Sequence, residues 1–255
     1  MSEKKKTTLG DFLSNYNIND FEIWDEKTKK WVSFDKSCYY DSSNEFPYPK
    51  KAEYPINIIT VYDSIDNEFR AWVYGNVKRE HPEIKVFKFN SEREMLLDFL
   101  KYQQRNTYPD VYCGWNSLKF DIPYLFNRLR NLFNDNIAKQ LSPENNAWIV
   151  DKFDSHGREF QRVFIPGITQ WDYLILYKEK FLYRSLTDYK LDSVCEFEIG
   201  ANKIKLAGKS FKDTWLNHFD DYLDYNVNDV RLLVKLDNKL RLLDLSRMIC
   251  NMCLV

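Results

Sequence analysis

Four residues of this 255-residue chain have types and spacing suited to metal-assisted hydrolysis: Asp35, Asp121, Tyr225 and Asp229. Asp35 closes the stretch Trp-Val-Ser-Phe-Asp at 31–35, Asp121 follows Gly-Trp-Asn-Ser-Leu-Lys-Phe at 114–120, and Asp229 ends Tyr-Asn-Val-Asn-Asp at 225–229. Taken singly, each acid has an ordinary structural use, as a strand-end turn former, a helix-start dipole partner or a solvated helix surface. Taken together, they could converge at one end of a sheet. Grouped carboxylates repel one another, and such a cluster is tolerable when cations neutralise it. Two divalent ions roughly 4 Å apart would do so, and the same pair suits phosphodiester cleavage: one activates water, the other stabilises the leaving oxygen. Hard oxygen ligands select Mg2+ or Mn2+. Tyr225 and Asp229, four apart on a helix, share a face, so a phenol can hold the attacking water beside a carboxylate that holds a cation.

Positioning these residues requires a mixed framework. The alternation of Trp31, Ser33 and Asp35 against Val32 and Phe34 predicts a strand ending at Asp35. Residues 56–62 and 69–74 read as a hairpin around Asp63–Asn67, so three antiparallel strands are expected first. Residues 84–89 predict a further strand, Ser91 with Glu94 a capping box opening a helix to about residue 104, and 111–114 another strand. Apolar residues from Ile122 to Phe133 fall at helical spacing, with Pro123 in the first turn. Residues 142–167 read as irregular apart from a hairpin turning near His156-Gly157. Helices are expected over 172–181, 190–198 and, as one long element with a stripe of Leu223, Val227, Val230 and Val234, over 219–249. Strands first and strand-helix alternation afterwards predict an α/β (α+β) fold, a mixed sheet flanked by helices. The expected domain runs from 24 to 249, with residues 1–23 as a partly frayed extension and 250–255 as a tail.

Composition narrows the surroundings. With 37 basic and 38 acidic residues the charges nearly cancel, so any phosphate-binding surface must be a local patch. Five scattered cysteines and the absence of an apolar leading segment fit a reducing cytoplasm, and Cys250-x-x-Cys253 lacks a second pair or a nearby His, so it is read as incidental. The longest apolar runs fall short of the roughly 20 residues a membrane helix needs, so no membrane role is expected.

The segments Gly-Trp-Asn-Ser-Leu-Lys-Phe-Asp-Ile-Pro-Tyr at 114–124 and Tyr-Asn-Val-Asn-Asp-Val at 225–230 resemble the second and third exonuclease motifs of family B DNA polymerases, closest to the replicative polymerases of large tailed phages. Residues 51–69, 89–100, 141–143 and 171–181 resemble that branch as well, and the resemblance extends over about 24–249. It implies a ribonuclease H-like fold and removal of nucleotides from the 3′ end of single-stranded DNA, with two divalent cations (Mg2+ or Mn2+). Asp121 and Asp229 then match metal ligands, and Tyr225 matches the residue that positions the nucleophilic water. Asn116 and Phe120 fall where the family lines the path of the DNA terminus, and a base stacked on an exposed Phe120 would be worth about 1–3 kcal/mol. The hairpin near His156-Gly157 falls where relatives carry one that helps part the primer end, although its sequence matches poorly. Nothing here resembles a palm or fingers, which leaves a separate polymerase subunit as a candidate partner.

The family's first motif is Asp-x-Glu, and here the chain departs from it. Counting from Trp24-Asp25-Glu26-Lys27 places Asp35 on the Asp and Ser37 on the Glu. Counting back from Phe46-Pro47 puts Cys38 and Tyr40 there instead, with both acids lost. The first register is preferred because Val32 and Phe34 give the strand a buried face, and extra loop residues cost little. A serine hydroxyl is a shorter, neutral ligand, so impaired activity is expected, with Asp41 in the next loop a candidate substitute. The alternative is an exonuclease-fold module that binds single-stranded DNA or a polymerase partner without cutting it.

Overall fold

The computed structural model describes residues 22–25, 30–33, 47–105, 108–155, 157–181, 186, 188–201, 204 and 211–253. The chain divides into two compact units, Met1–Phe46 and Pro47–Val255. In the first, β1 (Glu22–Asp25) pairs antiparallel with β2 (Lys30–Ser33), with Trp24 opposite Trp31. The expected strand is therefore present but is the return arm of a hairpin. Asp35, Ser37 and Asp41 lie outside the described residues.

The second unit opens with β3 (Ile58–Asp63) and β4 (Glu68–Tyr74), antiparallel, followed by β5 (Lys85–Phe89), which runs parallel to β4. Asp63 shapes the β3–β4 turn by accepting from the N–H of Ile65 at 3.0 Å, and Asn67 takes the left-handed conformation that its short polar side chain tolerates. Three antiparallel strands were expected first. The third strand of this sheet is instead β5, brought in parallel, while β2 pairs with β1.

Helix α1 (Glu92–Arg105) starts as the capping box predicts, with Ser91 Oγ accepting from the Glu94 N–H at 3.2 Å. Next come β6 (Val111–Gly114), α2 (Asp121–Leu132) and the short α3 (Asp135–Lys139). Met95, Leu96, Phe99 and Leu100 of α1 meet Phe126 and Leu129 of α2 in one apolar core with Trp72 and Val163. A buried ion pair, Arg128 to Glu92 at 2.6 Å, ties α2 to α1, and Arg128 also donates to the carbonyls of Ala52 and Glu53, so its charge enters the core paired and hydrogen-bonded.

The hairpin predicted around Gly157 is β7 (Trp148–Phe153) with β8 (Glu159–Phe164). A strand the sequence reading lacked, β9 (Thr169–Asp172), follows and lies parallel to β6, Gly114 opposite Asp172. Only one helical turn, Tyr173–Ile175, comes next, passing into a π-helical turn over Leu176–Phe181 where a regular helix was expected. After α4 (Leu191–Ile199), closed by left-handed Gly200, come α5 (Phe211–Asn217), α6 (Phe219–Leu240) and α7 (Leu242–Cys253).

The single helix expected over 219–249 is thus broken in two. Arg241 turns left-handed, and Asp237 stabilises the break by accepting from the Leu243 N–H at 3.1 Å and the Tyr173 hydroxyl at 3.0 Å. The buried stripe of α6 also differs from the expected one. Leu223 and Val227 pack on Ala71 and Val73, whereas the second half is carried by Leu232 and Leu236, packed on Tyr173 and Tyr177. Val230 and Val234 are half-buried. Among the described residues no helix is long and apolar enough to cross a membrane.

Candidate functional site

The loop from 114 to 120 connects β6 to α2 and is built to deliver Asp121. It bends at once: a Cβ on Gly114 would lie 2.7 Å from the Ser117 Cβ, so only glycine fits the start of this turn. Asn116 then takes the left-handed region, with φ at 58°, and its carbonyl accepts from the N–H groups of Lys119 and Phe120. Both loop segments are held from below by Asp172 at the end of β9. Its Oδ1 accepts from the Asn116 N–H at 2.9 Å and from the Leu174 N–H at 3.1 Å, and its Oδ2 accepts from the Leu118 N–H at 3.2 Å. Asp172 is buried, and burial pushes its carboxyl above the ordinary range while these N–H groups pull it back.

Asp172 was missed as a site residue by the sequence reading. Its signal was present only as one acid in a matching Trp-Asp-Tyr segment, and its task, to bind backbone N–H groups across a parallel strand pair, leaves no spacing in the sequence.

Asp121 is the first residue of α2, where the helix has no side-chain cap and where an anion is favoured by the helix dipole. Its side chain is exposed at the start of the helix. Desolvation, joined by the charges of Asp172 and Asp229, raises its carboxyl to about 6, against a single hydrogen bond from its own N–H. The helix α6 carries Asp229 and, one turn earlier, Tyr225, both half-buried. Its N-terminal end is fixed by Asp220, which accepts from the N–H groups of Lys78 at 3.1 Å and Arg79 at 3.0 Å, and by the Arg79 pair with Asp221 at 2.7 Å. Asn116 is exposed at the loop, while Phe120 is half-buried with its ring 5.8 Å from that of Tyr124.

The structure therefore brings Asp121 and Asp229 within reach of each other's charge, gathers Asn116 and Phe120 on the same loop, and places Asp172 beneath it. Asp35 falls outside the described residues. Among those residues no group of three His, Cys, Asp or Glu is placed to hold a metal ion. The donors that are present fit a hard divalent cation in type, and a cation would offset the charges of Asp172 and Asp229 that add to the desolvation of Asp121.

The sign of the pH dependence follows from that displacement. The folded protein keeps a proton on Asp121 up to pH about 6, whereas the ordinary carboxyl value is 3.8. The corresponding stability of the metal-free fold is present at low pH and is lost as pH rises through about 6. A cation must displace the same proton below that point. Mn2+ affinity, read by calorimetry, is expected to fall about tenfold per pH unit below 6 and to level off above 7, and Asp121→Asn is expected to flatten this slope.

A family model for the exonuclease domain of family B DNA polymerases matches residues 14–194. The chain belongs to that family. It is 35% identical to a DNA-directed DNA polymerase of Escherichia phage RB69 over 93% of this chain and 29% of the relative. It is 30% identical to that of Enterobacteria phage T4 over 80% of this chain and 25% of the relative. A catalytic subunit of DNA polymerase delta from Schizosaccharomyces pombe is 35% identical over 47% of this chain and 11% of the relative. The chain thus spans less than a third of the length of these polymerases.

Proposed function

We propose that this chain is a metal-dependent 3′→5′ exonuclease acting on single-stranded DNA ends, the proofreading module of a family B DNA polymerase. The observation that carries the reading is that Asp121, at the head of α2 and within reach of the charge of Asp229, follows a loop whose sequence resembles the family's second motif. Asp121 and Asp229 hold divalent cations; Asp35, assigned on the resemblance of its strand, enters as the third carboxylate on sequence alone. When bound, the two cations supply water activation and charge relief at the leaving oxygen. The protein's own residues do the placing. Asp172 fixes the loop, the phenol of Tyr225 orients the nucleophilic water, Asn116 offers its side-chain amide to the DNA terminus, and Phe120 offers a ring face to its last base.

A second reading is favoured by one residue. Ser37 stands where the resemblance expects Glu, and a module without that ligand could hold a 3′ end without cutting it. The two readings part on metal-dependent product. With a 5′-labelled single strand, stepwise shortening from the 3′ end in Mn2+ or Mg2+, and none in EDTA, is expected for the first. Tight binding in EDTA with no shortening under either metal supports the second.

A further inference from the structure

Asp121 and Asp229 come from different elements, the head of α2 with its preceding loop and the helix α6, and a hydrogen bond joins those two elements. Tyr173 directly follows Asp172, the carboxylate that accepts from the N–H groups of Asn116 and Leu118, so its backbone is anchored to the loop. Its side chain is buried, and its ring stacks on that of Trp115 in the same loop, with centres 6.3 Å apart and planes within 28°. The Tyr173 hydroxyl donates to Asp237 Oδ1 at 3.0 Å, and the same oxygen accepts from the Leu243 N–H at 3.1 Å. Asp237 lies on α6 beyond Asp229, about 12 Å further along a straight helix. Cys113, next to the end of β6, feels both carboxylates: burial pushes its thiol up to about 12, and the charges of Asp172 and Asp237 add to the shift. Burial and the charge of Asp237 likewise hold the Tyr173 phenol above its ordinary range, so it stays a donor.

We infer that the Tyr173–Asp237 bond is the tie that sets the spacing of the two candidate metal-binding aspartates, which makes Tyr173 and Asp237 positioning residues for the site. Tyr173 also shares an apolar core with Leu232, Leu236 and Leu242, but apolar attraction has no preferred direction and does not by itself fix how far α6 is turned or slid against the loop. A hydroxyl bonded to a carboxylate is confined in both distance and angle. That precision matters to a cation held between Asp121 and Asp229, which needs ligands from both elements at once, and a misplacement of about 1 Å can cost about a hundredfold in rate. The inference rests on the nuclease reading for what the spacing serves, and on the structure alone for the tie itself.

The test is Tyr173→Phe, which deletes the hydroxyl and keeps the buried ring, so the core is retained. In EDTA, deuterium exchange read by mass spectrometry is expected to rise about fivefold both in the loop at 114–120 and in α6, because the bond that couples them is gone. In Mn2+, kcat for shortening a 5′-labelled single strand is expected to fall about tenfold while KM for the strand stays within twofold. Asp237→Asn keeps a carbonyl oxygen able to accept from both Tyr173 and Leu243, and is expected to match the parent within threefold. Tyr102→Phe is the control: it too removes a hydroxyl bonded to an aspartate, Asp63 at 2.6 Å, but one that joins neither element, and it should change neither exchange in the two segments nor kcat. The tie is refuted if Tyr173→Phe leaves exchange within twofold of the parent in either segment. The positioning role is refuted if kcat is unchanged, if Tyr102→Phe costs as much, or if Asp237→Asn falls as far as Tyr173→Phe. A parent that cuts no strand in Mn2+ or Mg2+ sinks the nuclease reading instead, and exchange then decides the tie by itself: a joint rise upholds it and no joint rise overturns it.

Discussion

Asp121→Ala is expected to reduce 3′ shortening of a labelled single strand in Mn2+ by about a hundred- to a thousandfold, with the metal-free protein melting no lower than the parent at pH 7. The two halves of this expectation come from one geometry. Asp121 sits at the first position of α2, so its loss forfeits a dipole interaction of about 0.3–1 kcal/mol. It also removes a carboxylate that desolvation and the charges of Asp172 and Asp229 hold at about 6, and that relief works in favour of the fold. An acid kept only for stability would show the opposite pattern, a lower melting temperature and little else. Single-turnover cleavage and thermal melts in EDTA, run on the same preparations, separate the cases. Cleavage that survives the substitution would remove Asp121 from the chemistry.

How far the sequence foretold this site depends on how local each signal is. The Ser91 cap, the 58–74 hairpin, the strand at 111–114 and the helix opening at Asp121 were all legible, because capping, turn chemistry and periodicity act within a few residues. Other features depend on partners distant in the chain. The parallel pairing of β4 with β5 and of β6 with β9 has no local mark, and four residues of β9 are too few for alternation to register. The break at Arg241 was hidden for a similar reason: a non-glycine residue takes the left-handed turn there, supported by Asp237 and, through Tyr173, by a segment more than sixty residues earlier. Asp121 and Asp229 were found by motif and are joined by the fold. Asp172, whose work is to hold backbone, could be found only after β6 and β9 were seen side by side.

Ser37→Glu is expected to raise metal-dependent shortening by about a hundredfold and to tighten Mn2+ binding. The argument is one of ligand charge. A serine hydroxyl offers a neutral oxygen on a side chain shorter by two atoms than glutamate, so it can neither reach the same place nor offset the same positive charge. Restoring a carboxylate at a single position that contacts developing charge is worth about two to three orders of magnitude in rate. The gain should vanish in the double variant with Asp121→Ala, since the two groups act on one reaction and their effects are not additive. The alternative register makes a different forecast: Cys38→Asp with Tyr40→Glu, rather than Ser37→Glu, would then recover the rate. If neither restores activity while Asp41→Ala removes what little there is, the loop carboxylate has taken over the ligand's place. Measured side by side in Mn2+, the three variants distinguish a weakened nuclease from one that has rebuilt its site.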